Sequence, residues 1–311
     1  MTKEEFRQFT ENEISILDGA TGSNLIAAGM PQGVCVEDWI LNNPDVLINL
    51  QDEYIKAGSS IILAPTFGAN RIRLASMGRA GEVRKLNMEM VNLSRSVADA
   101  GMPAGDAAGA IKKSRALVAG DISMSGKFYD PDDEDEEEDL VDAYREQAEI
   151  LAEAGCDLIL IETMISLDDA KAALKGAKLG CNLPVMASIS FEANEYTIYG
   201  NTPEQCAKEL ADLGADAVGA NCSTGPSKMK SIIERMAKVT SLPLIAKPNA
   251  GLPMPGVNGQ IKYDLSDDAF AVEMMGLLEA GANILGGCCG TTPSYIEKMA
   301  MLVRNMNFKS R

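Results

Sequence analysis

Two adjacent cysteines, Cys288 and Cys289, sit in the glycine-rich stretch Leu285–Pro293, where a turn can direct both sulfurs at one soft metal ion. A third, Cys222, lies in a similar setting, Val218–Gly225. Three thiolates with one open position describe a zinc site arranged for catalysis, because structural zinc sites close all four positions with protein ligands. The chain contains no histidine, so any zinc here is held largely by sulfur. A substrate thiol at the open position would bind as its thiolate, which is the nucleophilic form of sulfur. Hydrolysis by zinc-bound water fits less well, since such sites carry histidine and carboxylate ligands that leave the metal more acidic. Two competing readings stay open. One is a strained vicinal disulfide. The other is plain packing, which suits Cys156 and Cys206 as small buried hydrophobes and leaves Cys35 and Cys181 incidental.

Cysteines far apart in sequence need a scaffold that brings them together. Apolar runs begin at Ile14–Leu17, Ile61–Ala64, Leu117–Gly120, Leu158–Ile161, Val185–Ile189, Ala217–Ala220, Leu244–Ala246 and Ile284–Gly286. They are short and not alternating, as expected of strands buried on both faces. Amphipathic stretches separate them: Pro44–Lys56, Glu82–Ala100, Asp139–Ala154, Asp168–Lys178, Pro203–Leu213, Ser227–Lys238, Asp267–Glu279 and Pro293–Val303. Thr202–Pro203 and Thr292–Pro293 each set an N-cap before proline at the first helical position. Gly58, Gly155, Gly214 and Gly281 each close a helix just ahead of an apolar run, in the left-handed position that glycine fills.

Eight such units in 311 residues predict a (β/α)8 TIM barrel, in the α/β class, as a single domain over residues 1–311 with its core at about 14–303. An open doubly wound sheet is the alternative, but no Gly-x-Gly-x-x-Gly follows the first strand. Seven or eight residues beyond the four glycines come Thr66, Glu162, Cys222 and Cys288. All four then lie at carboxyl ends of strands, the catalytic face of a barrel, and Asp18 joins them.

Composition narrows the function. A net charge of −17 argues against nucleic acid as a partner, because phosphate-binding surfaces cluster lysine and arginine. There is no apolar run long enough for a membrane span. Met1–Asn12 is polar and unlike a signal peptide. With seven cysteines and no secretion signal, the expected location is a reducing cytoplasm. Asp132–Asp139 is wholly acidic: a solvated loop before the third helix, or a docking surface for a basic partner. Lys247–Asp264 reads as a long loop lining the active face.

These motifs resemble the homocysteine S-methyltransferase family. Leu17–Gly22 looks like its opening signature, Thr66–Asn70 like the segment after its second strand, and Ile161–Thr163 like its fourth-strand motif. Gly219–Cys222 and Gly286–Pro293 look like its zinc-binding motifs, and Lys247–Pro253 most resembles the homocysteine-binding module of cobalamin-dependent methionine synthases. The likeness runs from about Ile14 to Val303.

It implies Zn2+ on Cys222, Cys288 and Cys289, and homocysteine as the acceptor whose methylation gives methionine. Asp18, Gly19, Ala20, Thr66, Glu162 and Asn221 are the implied substrate contacts, with Glu162 pairing with the ammonium. An internal ion pair for Glu162, and a turn-bracing role for Asp18, remain open. After the third strand, Gly120–Gly126 and the acidic run depart from the methionine synthase pattern. Because the sequence stops at Arg311, the expectation is a donor supplied elsewhere: methylcobalamin on a separate corrinoid protein, or a small donor such as S-methylmethionine or betaine. A non-catalytic, zinc-stabilised subunit that docks a corrinoid protein is the rival of another class.

Overall fold

The computed structural model describes residues 1–100, 116–127, 134–256 and 261–306. The chain opens with α1 (Lys3–Asn12), β1 (Ser15–Ile16), α2 (Gly22–Ala27), α3 (Val36–Asn42), α4 (Pro44–Ala57) and β2 (Ile61–Ala64). Next come α5 (Arg71–Ser76), α6 (Val83–Ala100), β3 (Leu117–Ile122), α7 (Glu134–Glu153), β4 (Leu158–Met164), α8 (Leu167–Gly180) and β5 (Val185–Ile189). It continues through α9 (Pro203–Asp212), β6 (Ala217–Asn221), α10 (Pro226–Met236) and β7 (Leu244–Lys247). A small hairpin, β8 (Pro253–Pro255) with β9 (Ile261–Tyr263), precedes α11 (Asp267–Glu279), β10 (Ile284–Leu285) and α12 (Pro293–Asn305).

Eight strands run parallel in the order β1-β10-β7-β6-β5-β4-β3-β2, and a parallel bridge from Leu17 to Ile61 joins the two ends. The result is the expected barrel with helices outside. Its walls follow from period two along each strand. Leu17, Ile61, Leu63, Ala119, Leu158, Leu160, Met186, Ala217, Ile245 and Ile284 form one buried cluster inside the barrel, and Phe6 of α1 joins it. The alternate residues, such as Ile62, Val118, Ile159 and Ile161, pack in a second cluster with the helices.

Local signals explain the boundaries. Gly58, Gly155, Gly214 and Gly281 all have positive φ, between 86° and 117°, as the helix-stop pattern requires. The Thr202 hydroxyl accepts the Gln205 N–H and caps α9. Thr292 holds the N-cap position of α12 without that bond, since its hydroxyl meets Ser294 instead.

Three features depart from the sequence reading. Met1–Asn12 is largely helix, begun by a capping box of Thr2 and Glu5. Part of the loop after β7 is hairpin. The acidic run is no loop where it is described: residues 134–139 form the start of α7, where Glu136 pairs with Lys127 at 3.1 Å and Glu137 with Lys175. Asp132 and Asp133 lie outside the described residues, while Asp135, Glu138 and Asp139 are exposed on the helix. No helix among the described residues is long and apolar enough to cross a membrane.

Candidate metal centre and substrate cavity

Two turns at carboxyl ends of strands carry the three cysteines. After β6, Cys222 and Ser223 both take positive φ, 63° and 59°. Such backbone costs roughly 1–3 kcal/mol per residue and persists only where the surroundings impose it. Here the Cys222 N–H is bound to the Lys247 carbonyl at 3.0 Å, and the Asn249 N–H to the Thr224 carbonyl at 2.9 Å. The same segment after β7 grips the other cysteines. Cys288 N–H donates to the Pro248 carbonyl at 2.8 Å, and Ala250 N–H to the Cys289 carbonyl at 3.0 Å. Lys247–Ala250 is therefore the splint between the two cysteine turns.

A second tie runs to the turn after β1. The Thr291 hydroxyl donates to the Cys288 carbonyl at 2.7 Å and accepts the Ala20 N–H at 3.1 Å. The Tyr54 hydroxyl donates to the Ala20 carbonyl at 2.9 Å. Gly287 is required, because a Cβ there would stand 2.3 Å from the Thr291 hydroxyl.

The three Sγ atoms lie within 4.8 Å of one another, with Cys222 and Cys289 4.0 Å apart. Tetrahedral zinc with Zn–S bonds of about 2.3 Å needs sulfurs about 3.8 Å apart, so the donor set fits. The proton balance fits as well. Cys222, then Cys288, direct hydrogen bonds at Cys289 and hold its thiol well below the usual range, while Cys288 is pushed up by the same neighbours. By contrast, burial pushes the Cys206 thiol up to about 12, and Cys156 likewise upward, as inert core thiols.

A cavity of about 270 Å³ opens beside the sulfurs, lined by Gly19, Ala20, Asp121, Glu162, Lys247 and all three cysteines. The partly exposed Val34 and Met77 stand at its rim. This is below the roughly 300–1,000 Å³ of drug-sized sites and suits a small molecule. Its polar end holds an ion pair, Lys247 Nζ to Glu162 Oε2 at 2.5 Å, with the two side chains only 2% and 9% exposed. Burial opposes the Lys247 charge, but Glu162 and then Asp18 outweigh it and hold the ammonium above its usual range. Burial raises the Asp18 carboxyl to about 7 despite Lys247. Burial, then Glu162, raises that of Asp121 well above the carboxylate range.

The expected substrate contacts divide. Gly19, Ala20 and Glu162 face the cavity. Asp18 lies behind its wall, where Oδ2 accepts the Leu63 N–H at 2.8 Å. Thr66 is fully buried, its hydroxyl spent on the main chain of Asp121, donating to the carbonyl at 2.7 Å and accepting the N–H at 3.0 Å. Asn221 spends its amide inside the protein. Oδ1 accepts from Thr163 N–H and the Ser188 hydroxyl, while Nδ2 donates to the Thr163 hydroxyl and faces Cys288 Sγ at 3.9 Å.

Asp121, Lys247 and Tyr263, whose ring packs over Gly290, were not singled out in sequence. A charged residue two positions beyond a barrel-interior apolar one is the signal for the first two. Asn249 also joins the site's surroundings, with a buried Oδ1 that has no partner among the described residues.

The family profile described as homocysteine S-methyltransferase matches residues 15–303. Methionine synthase from Mycobacterium tuberculosis is 32% identical over 312 aligned residues, covering 96% of this chain and 25% of that protein. Methionine synthase from Mycobacterium leprae is 31% identical, covering 94% and 24%. The chain therefore spans about a quarter of the length of these relatives. Among solved structures, the metallated form of the homocysteine methyltransferase MmuM from Escherichia coli superposes with a TM-score of 0.77 at 23% identity, over 95% of this chain and 98% of that one. That likeness is one of fold. The strand-end cysteines, the closed parallel barrel and a profile match across nearly its whole length together make this chain a member of the homocysteine S-methyltransferase family.

Proposed function

We propose that this chain methylates the sulfur of homocysteine to give methionine, at a zinc ion held by Cys222, Cys288 and Cys289. The observation that carries the reading is the sharing of one small cavity by three convergent sulfurs and a buried, charged end. When bound, zinc would supply a single chemical service, holding a substrate thiol as its thiolate at neutral pH. Everything else falls to the chain. The polar end of the cavity, around Glu162 and Lys247, receives the amino-acid part and orients the side chain toward the cysteines. Thr291 and Tyr54 hold the turn Asp18–Ala20 against the Cys288 loop, so the walls keep their spacing. Asn221 steadies Cys288 through its amide. The homocysteine sulfur gives up its proton to solvent and forms a bond to the methyl carbon as the bond from that carbon to the donor breaks. No general base is needed at the sulfur, which accords with a chain that has no histidine.

The donor we propose is a methyl-corrinoid carried on another domain or protein. Support comes from the relatives named methionine synthase, of which this chain matches about a quarter. Zinc-loaded protein should transfer methyl from methylcobalamin, free or protein-bound, to homocysteine. Transfer only from S-methylmethionine or betaine would replace the donor and keep the acceptor. No transfer from any of the three, in protein that binds zinc and stays folded, would favour a non-catalytic subunit.

A further inference from the structure

Four carboxylates stand in or directly behind the cavity wall, and three are committed. Glu37 Oε1 accepts the Gly68 N–H at 3.2 Å, and its Oε2 accepts from Cys35 Sγ at 3.2 Å. Glu162 holds Lys247 at 2.5 Å. Asp18 is bound to Leu63, and although its Oδ1 has no partner, its side chain is not part of the cavity lining. Asp121 is different. It is 6% exposed, it lines the cavity, and its Oδ1 is buried with no hydrogen-bond partner among the described residues. Its main chain is fixed from both directions by the Thr66 hydroxyl, so the carboxylate has little freedom to seek a partner elsewhere. A buried polar atom left unpaired costs about 1–3 kcal/mol, and such an orphan points to a missing partner.

We propose that Asp121 receives the α-ammonium group of the thiol-bearing amino acid, alongside Glu162, whose charge Lys247 already takes up. The inference rests on the homocysteine reading above. An ammonium approaching the Glu162–Lys247 pair alone meets almost no net charge. Its lost hydration is offset only by an acceptor that is not already spent, and among the described cavity residues Asp121 is the carboxylate that meets that condition. Burial and the neighbouring Glu162 disfavour the charged form of Asp121, and an arriving cation reverses that balance.

The test compares two thiols on zinc-loaded protein by calorimetry: homocysteine, and 4-mercaptobutanoate, which keeps the thiol and carboxylate but lacks the ammonium. The parent chain should bind homocysteine more tightly. In the near-isosteric Asp121→Asn, homocysteine should weaken roughly 10–100-fold, while 4-mercaptobutanoate changes little. If both thiols weaken equally, or if Asp121→Asn keeps the full preference, the proposal is overturned and the homocysteine reading stands. If the parent chain binds neither thiol, the reading itself fails and takes the proposal with it, a result visible before any variant is made.

Discussion

The barrel interior has two storeys that differ by a single step of the β pleat. Below, Ala119, Leu160 and Ile245 belong to one dry apolar cluster. Two residues further along the same strands stand Asp121, Glu162 and Lys247, all under 9% exposed and all in the cavity wall. Backbone pairing runs on through Asp121 and Lys247, whereas at Glu162 the β4–β5 register shifts between Ile161 and Met164. What changes is the solvent-like character of the inner side chains. The lower storey stabilises by removing apolar surface from water at about 25 cal/mol per Å². With Asp18 behind the wall, the upper storey buries three carboxylates and one ammonium, whose desolvation can exceed their mutual attraction. The barrel thus carries a costly polar layer on top of an inexpensive one, which is the pattern expected where a site, rather than packing, decides residue type.

That division can be broken from below first. Leu160→Ala should destabilise by roughly 2–5 kcal/mol in urea unfolding, because Leu160 is fully buried in the lower cluster. It should leave the zinc content of the folded protein unchanged. Loss of zinc at retained fold would show that the storeys are not separable. A pH-dependent effect of similar size sharpens the upper storey. Asp18 keeps its proton to about pH 7 in the folded chain, against about 3.9 when unfolded. Folding therefore takes up a proton between those values. The stability this gives is complete below about pH 4 and is lost as the pH rises through 7. Asp18→Asn keeps an oxygen for the Leu63 N–H but does not titrate. It should gain about 4 kcal/mol on the parent between pH 4 and pH 8. Parallel stability curves for the two proteins would remove Asp18 from the buried charge cluster.

Most of the scaffold was legible in sequence for a physical reason. Strands buried on both faces leave unbroken apolar runs, and the four helix-closing glycines sit where only a left-handed residue fits, so strand ends could be counted from them. β2, β5 and α11 run over the residues expected. The three cysteines, too, converge as their spacing from Gly214 and Gly281 required. The short helices α2, α3 and α5 and the β8–β9 hairpin escaped because none belongs to the repeating unit. Asp121 and Lys247 escaped because a charge at the edge of an apolar run reads as the end of a strand; only the in-out parity with Ala119 and Ile245 places them inside. Thr66 and Asn221 were expected as substrate contacts; a sequence does not reveal that a hydroxyl or amide is also paired with a neighbouring strand.

The most direct test of the account is zinc K-edge X-ray absorption on the zinc-loaded chain, before and after homocysteine is added. The account predicts three sulfur neighbours from Cys222, Cys288 and Cys289, and one further sulfur once homocysteine binds. A zinc environment that already holds four protein ligands, or that does not change with saturating homocysteine, would contradict it.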